Sequence, residues 1–265
     1  MIQPIERMEG AFSVNGLNVI VTGGSQGIGF GISSAFAEAG ANVAVISRGE
    51  SSRDAVKRLS EKSNGKHFAF TCDVADLNDV RRTVAQIRKQ YGQIDVLVNN
   101  AGISRITEFL GMDETLSAWH DIMATDLNGT AYMTYEVAKG MCKDALSRGS
   151  IINISSVGGH RVESGAPMCA YSTAKAGIDH FTRVMSVELG KYNITVNAIA
   201  PGFIQTKLAD DLPTEVRESI IKRMPLGRYG QPMEIGALAV FLASPAAAHI
   251  TGDVIILDGG FGRSN

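Results

Sequence analysis

Short runs of β-branched residues alternate with helix-period stretches along nearly the whole chain, and this alternation limits the possible folds more than any other feature. The runs lie at 17–22, 42–47, 67–72, 94–99, 150–155, 194–199 and 254–257. Between them lie helical stretches at 27–39, 50–63, 77–91, 119–142, 168–192 and 234–243, two of them closed by Gly40 and Gly92. Runs this short, apolar on both faces, read as strands buried on both sides. Strands separated by helices read as an α/β, doubly wound domain: a seven-stranded parallel sheet with helices on both faces. At 265 residues, 45% hydrophobic and 20% charged, the chain suits one such domain with a full core. Residues 1–15 read as a charged N-terminal extension without the apolar centre of a signal peptide. Residues 201–225 are weakly patterned, and 204–224 are expected to form a lid with few buried contacts.

Charge and cysteine usage exclude several classes. Net charge is −2, and Arg81, Arg82, Arg88 and Lys89 fall on one polar helical stretch, so no nucleic-acid partner is expected. Cys72, Cys142 and Cys169 are far apart, which fits free thiols in a reducing, cytoplasmic setting. The longest apolar stretch, 235–243, is too short to span a bilayer. The five histidines show no metal-ligand spacing, so no metal is expected.

Two motifs carry chemistry. Thr22-Gly23-Gly24-Ser25-Gln26-Gly27-Ile28-Gly29 follows the first strand and opens the first helix. Glycines there permit a tight turn and a close approach of backbone to a diphosphate at the positive helix end. The spacing G-x-x-x-G-x-G differs from the G-x-G-x-x-G of other Rossmann-type dinucleotide sites, but the mechanism is shared. Tyr171 and Lys175 stand four apart on a predicted helix and so share a face. An ammonium beside a phenol favours the phenolate, which suits acid/base work nearer neutral pH.

With Asn99-Asn100-Ala101-Gly102, Ser156 and Pro201-Gly202, these motifs occur in the order seen in the short-chain dehydrogenases/reductases, which the chain resembles over residues 16–260. The resemblance implies hydride transfer between a nicotinamide and a carbonyl or alcohol. It implies that Tyr171 exchanges the proton with the substrate oxygen and that Lys175 supports it and holds the nicotinamide ribose. Ser156 would hydrogen-bond the substrate oxygen, and Asn128 would hold a water beside the lysine. Ser155 competes with Ser156, but strand side chains alternate, so one of the two faces the cleft; the family pattern favours Ser156. Ser156 precedes Tyr171 by fifteen residues, longer than the family's usual spacing, and the extra length falls in the cleft wall.

For the cofactor, the resemblance assigns Gly23, Ser25, Gln26, Gly27, Ile28 and Gly29 to the phosphates. Ser47 stands where an acid would bind the ribose 2′-hydroxyl of NAD, and Arg48 follows it. A guanidinium pairs well with phosphate, so NADP(H) is the expected cofactor. Asp73 and Val74 resemble adenine contacts, and Asn99, Asn100, Ala101 and Gly102 the ribose and sheet-stabilising turn. Pro201, Gly202, Ile204 and Thr206 resemble the segment that closes on the carboxamide. His160, Arg161, Glu163, Arg217, Lys222 and Arg223 near the cleft point to a small polar substrate: a keto-sugar, polyol or sugar acid. A β-ketoacyl-thioester reductase is the alternative, and a catalytically silent nucleotide-sensing protein a third reading. Ala174, Ile178, Phe181 and Val184 give the 168–192 helix apolar residues on more than one face. A homotetramer or homodimer through the two long helices and the C-terminal strand is therefore expected.

Overall fold

The computed structural model describes residues 8–144, 148–162 and 167–263. Residues 1–7 of the extension, and Glu163, lie outside them.

The alternating pattern folds as a repeated strand–helix unit. Strand β1 (Asn18–Thr22) leads through the glycine turn into helix α1 (Gly27–Glu38). Then come β2 (Asn42–Ser47), α2 (Ser51–Ser60), β3 (Phe68–Thr71), α3 (Leu77–Tyr91) and β4 (Val96–Asn99). The Asp76 carboxylate caps α3 by accepting from the N–H groups of Asn78 and Asp79, and Gly92 ends it at a positive φ of 81°. The single helix expected at 119–142 is α4 (Ser117–Ile122), a wide π turn (Met123–Asn128) and α5 (Gly129–Asp144). Strand β5 (Gly149–Ile154), helix α6 (Cys169–Gly190) and strand β6 (Ile194–Pro201) follow. Two short helices missing from the sequence pattern, α7 (Lys207–Asp210) and α8 (Thr214–Lys222), precede α9 (Pro232–Ala243) and β7 (Val254–Leu257).

All seven strands are parallel, in the order β3-β2-β1-β4-β5-β6-β7. The order reverses between β1 and β4, and ligands of open parallel sheets bind at that switch point, beyond the carboxyl ends of the strands. Alternation along the strands feeds two cores. Val19, Val21, Val43 and Val45 meet α1 and α9 through Ile32, Phe36, Ile235 and Leu242. Ile20, Ala44, Ile46 and Leu97 meet α3 and α5 through Val80, Ile87, Met133 and Val137. Each such side chain, once buried, contributes roughly 1.5–3 kcal/mol, which fixes the strand register that aims the chemistry.

A third cluster lies under the segment expected to be a lid with few buried contacts. Ala209, Ile220 and Met224 pack with Tyr229 and Phe261, flanked by Phe203, Leu212 and Ile221. The segment thus has a small core of its own. Among the described residues no helix is long and apolar enough to cross a membrane.

Candidate functional site

The glycine turn is held from the neighbouring strand. Asn100 Nδ2 donates to the carbonyls of Thr22 (2.9 Å) and Gly23 (3.1 Å). In return the Thr22 hydroxyl accepts from the N–H groups of Asn100 (2.9 Å) and Ala101 (3.0 Å). Gly23 adopts φ +61°, and a Cβ at Gly29 would lie 2.1 Å from the Gly23 carbonyl oxygen. These two positions exclude side chains, and the bare backbone they leave at the start of α1 suits a phosphate. Thr206 lies over the same turn: its Cγ2 comes within 3.6 Å of where a Cβ on Gly27 would stand. Asn99 points the other way, buried, donating to Thr134 Oγ1 and Asn153 Oδ1.

From this turn a groove runs over β2 and the loop after β3. Gly23, Ser25, Gln26, Ser47, Arg48, Ser51, Val74, Ala101 and Gly102 line it. Three hydroxyls converge there: Ser51 Oγ lies 3.0 Å from Ser25 Oγ and 3.3 Å from Ser47 Oγ. Arg48 is exposed beside them, while the one acid of this loop, Glu50, pairs with Arg53. Asp73, expected on the adenine, is exposed and does not line the groove, although its neighbours Cys72 and Val74 do; its carboxylate accepts from the Ala75 N–H.

Past Gly102 the groove becomes a second cleft, lined by Asn100, Asp126, Ser156, Tyr171, Lys175, Pro201 and Gly202. Here the predicted hydroxyl, phenol and amine come together. Lys175 Nζ donates to the Ile154 carbonyl at 3.0 Å and lies 5.4 Å from the centre of the Tyr171 ring. Both serines border this cleft, but Ser155 is buried and donates to the Lys175 carbonyl, whereas Ser156 is half-buried, also faces the pocket beyond Tyr171, and its Oγ accepts from the Gly158 N–H.

Three expectations are corrected. Asn128 is exposed, and the side chain that meets Lys175 is that of Asp126, fully buried, with Oδ2 3.2 Å from Nζ. Residues two apart on a helical turn face different ways, so the two cannot share the task. Asp126 falls on the buried stripe Ile122, Thr125, Asp126, Gly129, Thr130, Met133, and Asn128 falls off it, a stripe of mostly small or polar residues that no apolar period marks in the sequence. Burial pushes the Asp126 carboxyl above its ordinary range, and Lys175 and the Ile103 N–H pull it back. The second correction concerns His160, expected in the substrate cleft. Its Nε2 instead lies 3.0 Å from Oδ2 of Asp179, a buried carboxyl one turn beyond Lys175. Ile204, expected on the carboxamide, has its side chain in the core beside α9.

A third pocket opens on the far side of Ser156 and Tyr171. Val157, Met168, Phe203 and Phe261 wall it, with Arg161 and Ser172 as polar members. Arg161 Nη1 donates to the Phe261 carbonyl at 2.8 Å, tying the tail after β7 to the cleft wall.

Comparison with known proteins agrees with this layout. The family model described as Enoyl-(Acyl carrier protein) reductase matches residues 23–262. A 3-oxoacyl-(acyl-carrier-protein) reductase of Chlamydia muridarum is 42% identical over 242 residues, 91% of this chain and 95% of that protein. A sorbose reductase of Candida albicans is 36% identical over 254 residues, covering 94% and 88% of the two chains. The solved Pseudomonas aeruginosa RhlG/NADP active-site complex superposes with a TM-score of 0.86 at 32% identity, over 96% of this chain and 100% of that one. By sequence, fold and cleft, the chain belongs to the short-chain dehydrogenase/reductase family of oxidoreductases.

Proposed function

We propose that the protein is an NADP(H)-dependent oxidoreductase that interconverts a ketone and a secondary alcohol. The observation that carries this reading is the convergence of Ser156, Tyr171 and Lys175 on one cleft continuous with the glycine turn. A dinucleotide fits the residues present. The bare backbone at Gly23 and Gly29 receives the diphosphate, and Arg48 with Ser25, Ser47 and Ser51 offers cationic and hydroxyl partners to a ribose 2′-phosphate. Glu50, held by Arg53, leaves no carboxylate competing at Arg48 from its own loop. The bound nicotinamide supplies or accepts the hydride.

The chain's own residues do the rest. Tyr171 gives a proton to the substrate oxygen during reduction and takes it back during oxidation. Lys175, held by the Ile154 carbonyl and Asp126, favours the phenolate during oxidation. Ser156 donates a hydrogen bond to the substrate oxygen as charge develops there. Pro201 and Gly202 close the cleft's opposite side and limit water.

The pocket beyond Tyr171 favours a substrate with an apolar portion beside its carbonyl, since Val157, Met168, Phe203 and Phe261 form most of its wall. A β-ketoacyl thioester meets that description, and the similarity to 3-oxoacyl reductases supports it. A keto-sugar, polyol or sugar acid is the second reading, supported by the similarity to a sorbose reductase. NADPH oxidation followed at saturating acetoacetyl thioester, sorbose and keto-gluconate separates the two. Turnover only of the sugars would reject the acyl reading, and turnover of none would reject both.

A further inference from the structure

Lys175 is a buried cation whose surroundings have not been fully used by the mechanism. It is 4% exposed, and the groups around it are fixed by three elements. The end of β5 gives the Ile154 carbonyl. The π turn gives Asp126, 0% exposed, whose other oxygen Oδ1 accepts from the Ile103 N–H at 2.8 Å. Helix α6 itself gives Tyr171 and Asp179; Lys175 acts on Asp179 through space as well, but Asp179 Oδ2 sits 3.0 Å from His160 Nε2, with Arg183 also near. In the loop after β4, Arg105 is engaged by Asp121 at 2.8 Å. Asp126 is therefore the carboxylate in direct contact with Lys175, and it stands in the same cleft as the phenol.

We propose that Asp126 is a positioning residue for the Tyr171–Lys175 pair: its carboxylate holds the ammonium at the cleft and sets how much positive charge Tyr171 meets. The proposal rests on the oxidoreductase reading above. A carboxylate fixed at the ammonium partly cancels the field that favours the phenolate. It also spares the fold an uncompensated buried cation.

Two measurements test it. The first needs no substrate: urea unfolding of Asp126→Asn, Lys175→Met and the double variant. Each single change should lower the midpoint clearly, and the double variant should lose less than the sum of the two. Strictly additive losses would overturn the pairing. The second is the pH profile of alcohol oxidation in Asp126→Asn, which keeps the shape and the Ile103 contact but removes the charge. Oxidation needs the phenolate, and removing a nearby negative charge favours it, so the acid limb should move to lower pH. A merely structural role would lower turnover at every pH and leave the limb in place. An unmoved limb, or one moved upward, would overturn the positioning role. A wild-type protein inactive on every substrate would reject the oxidoreductase reading instead, with the unfolding cycle still deciding the pair.

Discussion

Replacing Gly29 by alanine should disable the phosphate turn, and its cost can be worked from the contacts. The added Cβ would lie 2.1 Å from the Gly23 carbonyl oxygen, 2.5 Å from Asn100 Nδ2 and 2.8 Å from the Gly23 carbonyl carbon. Two of these atoms are backbone and the third is clamped, so none can swing aside. Restoring van der Waals contact needs a shift of about 1 Å, and forced overpacking of this kind costs about 1–3 kcal/mol. The shift also breaks the bonds from Asn100 to the Thr22 and Gly23 carbonyls. At about 1 kcal/mol each, the total reaches about 3–5 kcal/mol. Cofactor binding should suffer as well. Losing one or two charge-assisted backbone contacts to phosphate, each about 1.5–3 kcal/mol, raises the Kd for NADP⁺ by roughly 100-fold. Calorimetric titration with NADP⁺ and urea unfolding read the two effects separately. Gly190→Ala is the control, because a Cβ there meets nothing within 4 Å. It should leave Kd unchanged. A Gly29→Ala protein with wild-type Kd and unfolding midpoint would refute the reasoning.

Four further outcomes are expected. Tyr171→Phe should keep cofactor affinity while turnover falls by about 100-fold or more; full activity would remove Tyr171 from the mechanism. Arg48→Asp should lower kcat/KM for NADPH by about tenfold or more and leave NADH nearly unchanged, and a wild type that prefers NADH would contradict the cofactor assignment. In hydrogen exchange, amides at 205–223 should gain protection together when NADP⁺ and a substrate analogue bind, since the Ala209–Ile220–Met224 cluster makes the segment one unit; equal protection in both states would mean a fixed wall. Light scattering at micromolar concentration should give a dimer or tetramer mass, because Tyr135, Val184 and Val187 are exposed on α5 and α6 and Ile256 on the outer strand, and a monomer mass would reject assembly.

What could be read from sequence follows from where the deciding contacts lie. The segments at 42–47, 77–91 and 254–257 coincide with β2, α3 and β7, because buried parallel strands and a capped amphipathic helix write their period locally. Helices α7 and α8 were missed because each is short, and their apolar residues pack with Tyr229 and with Phe261, the latter distant in sequence. The phenol and amine of the cleft were legible from their spacing, while the choice of Ser156 over Ser155 came from the family resemblance. Asn128 was not, since the choice between it and Asp126 depends on which side of the helical turn faces α6. The contact of His160 depends on Asp179, nineteen residues further along.

The Phe261 contact has an engineering consequence. Phe261 is 2% exposed, receives Phe203 edge-on at 5.1 Å between ring centres, and accepts the hydrogen bond from Arg161. One residue of the pocket wall, Phe261, thus follows the last strand and belongs to neither the sheet nor the catalytic helix. Exchanging residues 258–262 between related chains offers a way to graft a new substrate range onto an unchanged reaction centre, and an appendage fused just after this tail would act as an alteration of the pocket rather than as a bystander.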